Sequence, residues 1–530
     1  MPSDCISYQD SGYFSPLMND YLEQKENLKS LYNRFPTLEN FGPQILEKQQ
    51  NFNDNQRQIL VNAVEEQYKK LTVSSLTQKN IASLKASNTF TITTGHQLNL
   101  FTGPLYFLYK IISVINLTKE LKSEYPEYNF VPVYWMATED HDFEEINYFN
   151  FKGKKIRWNR ESSGPVGRLS TEGLDEVFEC FEKELGIGTN AKYLKTLFTD
   201  AYLKHDTLAA ATHFLANALF GHYGLVVMDA DESNLKRLFI PHIKEELSYQ
   251  TANSCVAEST SLLSGYKIQV NPREINLFYI GGAFRERIIL KNDLYYINNT
   301  DLVFTQEEIL RLVDEHPEHF SPNVIMRPLY QEVILPNLCY VGGGGELAYW
   351  LELKSYFDRS AVTFPILLLR NSALLASQKL AEKADKLNLS WADLFKKQSD
   401  LVNEKVRFYS TFALDFTPQK KLLQEQFALL SEIASKTDDS FAGAVKAQET
   451  KQLKGLDNLE KKLVRAEKKK HADQLERITE LQNMLFPNNS LQERQANFSE
   501  FYLESGSQLI ENLFTQLHPL RQDFTIIVVS

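Results

Sequence analysis

The sequence predicts an α/β fold, with a parallel-sheet core followed by a long helical arm. Short runs rich in β-branched and aromatic residues (89–93, 131–136, 225–228, 324–326 and 366–369) alternate with helical stretches, the βαβ pattern of a parallel sheet. No glycine occurs between residues 373 and 440 and no proline between Pro418 and Pro487, as long helices require. Aromatic residues make up 12% of the 530 residues, enough to fill large cores and too many for a disordered chain. At about 150 residues per domain, this length corresponds to three or four domains.

The first eighty-odd residues read as helices, because Ile45, Phe52, Ile59, Leu60, Val64 and Tyr68 recur near helical spacing. The run 89–93 reads as a strand ending in a Thr94-Gly95 turn. In Thr102-Gly103-Pro104 the hydroxyl is expected to cap a helix and the proline to sit in its first turn. That helix, 105–117, is apolar nearly all round and is expected to be buried. The run 131–136 reads as the next strand. Residues 1–150, 211–254 and 321–384 are assigned to the core, with 1–150 carrying the N-terminal helices as well. The more polar stretches 151–210 and 255–320 are assigned to two insertions. Residues 385–515 form the expected coiled-coil arm, where Leu456, Leu459, Leu463 and Ala466 step by 3, 4 and 3, and Leu475, Ile478 and Leu485 resume the seam. Its eight lysines between Lys446 and Lys470 read as the solvated sides of the seam. Residues 516–530 are expected to return a closing strand to the core sheet.

The net charge of −11 opposes general nucleic-acid binding. The longest nearly apolar run, 362–369, is far short of the roughly 18–20 residues of a spanning helix. The N-terminus lacks the basic-then-apolar order of a signal peptide. Cys5, Cys180, Cys255 and Cys339 are scattered without a CxxC, so a disulfide framework is not expected, and neither is a cysteine zinc site. A reduced cytoplasmic protein is the expectation.

Three motifs could carry chemistry. Thr93-Thr94-Gly95-His96-Gln97 lies at a strand-to-helix turn, where parallel sheets bind ligands. Gly95 allows close backbone approach, and His96 and Gln97 can donate to phosphate or carboxylate oxygens. Glu139-Asp140-His141-Asp142 crowds three carboxylates around an imidazole, which suits holding an amine or divalent metal, or acid–base work by His141. Gly342-Gly343-Gly344-Gly345-Glu346 could cradle an anion through its amides, although it is neither a P-loop nor a dinucleotide fingerprint. Arg327 and Gln331 are expected at the same cleft. Two alternatives stay open from these residues: a metal-dependent hydrolase or nucleotidyltransferase using Glu139–Asp142, and a non-catalytic coiled-coil adaptor.

These motifs, with Leu100–Tyr106, Lys110, Val131–Trp135, Leu335-Pro336 and Leu347–Trp350, resemble the BshC family, the cysteine-adding ligase of bacillithiol biosynthesis. The resemblance covers about residues 90–375, and the arm fits the family layout. It implies a Rossmann-like core akin to class I aminoacyl-tRNA synthetases, two connecting insertions and a homodimer through the arm. It also implies joining of cysteine to the amino group of glucosaminyl-malate, with ATP as the activator by analogy of fold and no tightly bound metal. Neither signature motif of the synthetases is present, and His96 stands where the family commonly has Gln. On this reading His96, Asp140 and His141 are catalytic. Gly95, Gln97, Thr102, Glu139, Asp142, Arg327, Gln331, Gly343, Glu346 and Tyr349 bind substrate.

Overall fold

The computed structural model describes residues 3–529, in two compact units: Ser3–Leu375 with residues 491–529, and Ala376–Ser490. In the larger unit five parallel strands form the central sheet: β1 (Thr89–His96), β2 (Asn129–Met136), β3 (Val226–Asp229), β4 (Asn337–Gly342) and β5 (Ile366–Leu369). Their order is β5-β4-β1-β2-β3. All eight residues of β1 are buried, as in a sheet covered on both faces. The chain runs outward from β1 to β3 and then crosses back to β4. The reversal therefore falls between β1 and β4, where such sheets open a ligand crevice at their carboxyl ends.

The turn after β1 is built from unusual backbone. Phe101, Thr102 and Gly103 have φ of 46°, 69° and 62°, and a Cβ on Gly103 would come within 2.5 Å of the Asn99 Cβ. Asn497 secures the turn by donating from its side-chain amide to the carbonyls of Phe101 (2.8 Å) and Gly103 (2.6 Å). The Phe101 ring is wedged among Phe149, Phe181, Phe198 and Phe498, and its amide donates to the Tyr202 hydroxyl. The expected Thr102 cap does not form. The helix Tyr106–Glu124 starts after Leu105 without a side-chain cap, because the left-handed backbone carries Thr102 away from the first turn.

Two strand expectations are corrected. Residues 324–326 lead into the helix Met326–Ile334, because the Asn323 carboxamide oxygen accepts from the amides of Ile325 and Met326. The fourth core strand is Asn337–Gly342 instead. The C-terminal strand Asp523–Val529 forms, but it lies between Asp4–Ser7 and Ser372–Ser377 in a separate three-stranded sheet.

The stretch 255–320 supplies most of a five-stranded antiparallel sheet, ordered Val303–Thr305, Leu294–Ile297, Arg285–Lys291, Leu277–Ile280, Phe320–Pro322. The stretch 151–210 supplies the helices Leu174–Leu185 and Thr189–Tyr202, which share one hydrophobic cluster with Tyr106–Glu124. Phe498, Leu509 and Leu513 join that cluster, so residues beyond 490 belong to the larger unit and not to an arm reaching 515.

In the smaller unit the helices Thr417–Ala434 and Asp439–Lys470 pair antiparallel. Lys420 binds Asp457 (2.6 Å) and Glu460 (2.7 Å), while Phe427, Ala434 and Val445 pack together nearer the turn. The expected seam is divided. Leu463 packs with Val406, Leu414 and Leu475, whereas Leu459 is 54% exposed and Ala466 faces solvent. Leu475, Ile478 and Leu485 are buried. Across the described residues no helix is long and apolar enough to cross a membrane.

Phe101→Ala should cost about 3–5 kcal/mol in chemical unfolding, since it empties an aromatic site that cannot collapse without moving four neighbouring rings. A loss below about 1 kcal/mol would show that the turn does not depend on this wedge.

Candidate active site

A cavity of about 890 Å³ opens at the carboxyl ends of β1, β2 and β4. Gly95, His96, Gln97, Glu139, Asp140, His141, Arg327, Gly343, Glu346 and Tyr349 all line it, so the structure brings the three motifs to one place. Thr102, Gln331 and Asp142 do not. Thr102 is buried behind the β1 turn, and Gln331 is buried beneath Arg327 and accepts from its guanidinium at 3.1 Å. Asp142 is exposed at the start of the short helix Phe143–Ile146.

An ion pair between a buried lysine and a partly exposed glutamate joins the two sides of the sheet reversal. Lys110, from the helix after β1, donates to the Gly95 carbonyl (2.7 Å) and meets Glu346, from the helix after β4, at 2.5 Å. Glu346 also accepts from the Tyr340 hydroxyl and the Gly343 amide, each at 2.8 Å. Burial opposes ionisation of Glu346. Lys110 and these donors outweigh it, and hold the carboxyl below its ordinary range. The glycine loop thus already spends its Gly343 amide on a carboxylate of its own chain. A Cβ on Gly95 would stand 3.3 Å from the Tyr340 oxygen, so glycine keeps this wall open.

Cationic donors for a ligand come from elsewhere. Arg327 donates to Gln331 and to the Tyr349 hydroxyl (3.2 Å). Arg370 pairs with buried Glu493 at 2.7 Å and lies 4.8 Å from the centre of the Tyr106 ring. Its Nε is buried without a partner among the described residues, a donor in the cavity wall that an anion would satisfy. Arg494 also lines the cavity.

The acidic loop after β2 is divided among different partners. Gln97 donates to Asp140 and to Glu145, each at 2.8 Å, and the His141 amide donates to the other Asp140 oxygen at 2.7 Å. Glu139, largely but not fully buried, meets Lys236 at 2.7 Å, while Lys236 also holds Asp231 at 2.8 Å. Arg285, from the antiparallel sheet, donates to His141 Nδ1 at 2.8 Å. A guanidinium only donates, so Nδ1 must accept and the neutral ring carries its proton on Nε2. Burial and Arg285 hold this imidazole below its ordinary pKa. His141 therefore offers the cavity a donor and not a base. Glu139–Asp142 do not gather as metal ligands among the described residues.

Sequence reasoning omitted Lys110, Arg285, Arg370, Arg494 and Tyr340 from the site. A lysine inside a helix apolar nearly all round marks Lys110, and Arg370 follows β5 as Gly343 follows β4. Nothing local marks Arg285, because its strand belongs to the insertion.

His96 is 8% exposed, with its ring against Tyr106 and Phe107. Burial, aided by Lys110, pushes its pKa down to about 3, so it works as a neutral ring. An unfolded imidazole protonates near 6.5, so the folded state loses stability as pH falls from about 6.5 towards 3. Each such histidine contributes about 1.4 kcal/mol per pH unit in that window. In urea unfolding at pH 6.5, 5.5 and 4.5, His96→Gln should lose stability less steeply than the parent by about that amount. Parallel curves would refute a neutral buried His96.

Residues 1–371 match the family described as bacillithiol biosynthesis BshC, N-terminal Rossmann-like domain, and residues 373–529 match its C-terminal coiled-coil domain. A protein of Flavobacterium johnsoniae named "Putative cysteine ligase BshC" is 64% identical over 529 residues, covering 100% of each chain. Proteins of the same name from Cytophaga hutchinsonii and Bacillus mycoides are 39% and 29% identical, covering 97% and 94% of this chain and 96% and 95% of their own. With both domain descriptions matched end to end on a Rossmann-type strand order, the chain belongs to the BshC family of bacillithiol biosynthesis.

Proposed function

We propose that the chain is a ligase that forms the amide between the carboxyl of cysteine and the amino group of glucosaminyl-malate, the last step of bacillithiol synthesis. The observation that carries this reading is one cavity at the sheet reversal, lined by a carboxylate fixed from both sides, Asp140, and by Arg327 and Arg370. An amino acid whose carboxyl is being activated requires both signs of charge in one site. Asp140 holds the α-ammonium of cysteine. Arg327, Arg370 and Arg494 take the anionic groups, and the unpartnered Arg370 Nε is the donor best placed to gain one. His141 orients the amine-bearing substrate by donating its Nε2 proton to one of that substrate's oxygen atoms, which leaves the amine lone pair free to attack. ATP supplies the leaving group that makes amide formation downhill, and the arginine wall fits its phosphates. The four cysteines stand free, which supports a reducing, cytoplasmic setting.

The smaller unit supports a homodimer. Leu422, Leu429, Ile433 and Leu459 on its helical hairpin are each more than half exposed, an apolar face that a second copy would cover. Leu429→Asp with Leu459→Asp should give a folded monomer in sedimentation. A dimer at unchanged helicity would place the interface elsewhere.

Asp140→Asn keeps the size but removes the charge, together with one of the two hydrogen bonds that the carboxylate accepts. It should raise the KM for cysteine roughly 10- to 100-fold, the worth of one charged hydrogen bond, with a smaller effect on ATP. In a deletion strain His96→Gln should restore thiol production nearly fully and His96→Ala less well. Full production by both Asp140→Asn and His96→Ala, at normal protein levels, would remove this assignment of the site.

A further inference from the structure

We propose that His316, Glu318 and His319 form a binding site for a zinc-class divalent metal, outside the catalytic cavity, that stiffens the turn closing the antiparallel insertion. The three residues lie at the tight turn Pro317–His319, between the helix Gln306–Glu315 and the strand Phe320–Pro322. In a turn with three residues per revolution, side chains three apart fall on the same side, which brings His316 over His319. The ring centroids are 5.5 Å apart, and one ligand atom from each of the three residues lies within 4.8 Å of the others. None of the three lines the catalytic cavity.

The surroundings are those of a metal ligand set. His319 Nδ1 is 2.7 Å from the Ile280 carbonyl and its ring stacks on Tyr279, 5.2 Å away and 11° from parallel. A carbonyl only accepts, so Nδ1 carries the proton and Nε2 presents a bare lone pair. This is the second hydrogen bond by which proteins fix a ligating histidine. Glu318 has one carboxylate oxygen 3.0 Å from His316 Nδ1, while the other accepts from the Ser233 hydroxyl at 3.2 Å. Bonds of about 2.0–2.2 Å to zinc would draw the ligand atoms about 1 Å closer than they stand. His316 and Glu318 can make that move, because their side chains are 52% and 37% exposed.

Two imidazoles and one carboxylate suit zinc, nickel or copper, and not magnesium or calcium, which prefer oxygen. The fourth position is left to water. The effect would reach the catalytic cavity through one side chain. The Glu318 carbonyl accepts from Lys236 at 3.3 Å, and Lys236 pairs with Glu139 in the cavity wall. Holding the turn thus holds the lysine that positions Glu139.

Full-length protein stripped with EDTA and exchanged into chelator-free buffer would be titrated with zinc chloride against a chromophoric competitor. The expected result is one zinc per chain with about micromolar or tighter affinity, a raised melting temperature and no response to magnesium. His316→Ala, a change on a half-exposed side chain that leaves the fold intact, should weaken binding at least about tenfold and abolish the melting shift. Glu318→Gln should weaken it too, while Cys180→Ser, which removes an exposed thiol, should change neither. No zinc bound at about 100 µM, unchanged affinity in His316→Ala, or binding lost in Cys180→Ser would each overturn the proposal.

Discussion

The site depends on the contact between the buried Lys110 and Glu346. A parallel sheet whose order reverses leaves a gap between two strands whose following helices depart on opposite faces. Something must hold the two rims in register across that gap, and here it is a lysine from one helix and a glutamate from the other. The lysine also binds the Gly95 carbonyl, and the glutamate also binds the Gly343 amide and Tyr340. Three further groups from both rims thus converge on one ion pair. Burying the lysine charge is costly, and the Gly95 carbonyl and the Glu346 carboxylate offset that cost. The pair fixes the mouth of the crevice before any ligand enters.

Around that fixed mouth the charges are segregated. Asp140 stands on the β2 side, braced by Gln97, and the guanidinium groups of Arg327 and Arg370 stand on the β4 and β5 side. Arg327 and Arg370 are held by residues outside the cavity lining, Gln331 and Glu493, while Asp140 and the neutral His141 are braced by two residues of the lining, Gln97 and Arg285. Reach and orientation are therefore set by packing in three different parts of the chain.

Much of this was legible in the sequence, and what was not has identifiable physical causes. The motifs 93–97, 139–142 and 342–346 could be found because each is contiguous and each lies at or just beyond the carboxyl end of a strand. β4 was missed because Asn337, Cys339 and the flanking Pro336 interrupt the β-branched texture, while 324–326 mimics it just before an asparagine starts a helix. The closing strand was recognised but not its sheet, since pairing partners 518 residues apart carry no local signal. Glu139 looked like a candidate ligand in the sequence. Its partner Lys236 lies on another element, and proximity in space decides its role. The seam at Leu456–Ala466 was read from periodicity alone, which does not say whether leucines face their own chain or another. Leu463 packs within its own chain, whereas Leu459 is exposed.

The hold that Asn497 has on the β1 turn sets an order of events during synthesis. The carbonyls of Phe101 and Gly103 are satisfied by a side chain 396 and 394 positions later. Arg370 likewise waits for Glu493, 123 residues on. A ribosome adding about 5–20 residues per second leaves β1 and its turn without these partners for tens of seconds. During that interval the sheet can pair and the smaller unit can fold, but the crevice has neither its kinked rim nor its braced arginine. The crevice is thus completed only in the last stretch of translation. A chain broken off inside the arm would carry all three motifs and still lack the parts that aim them.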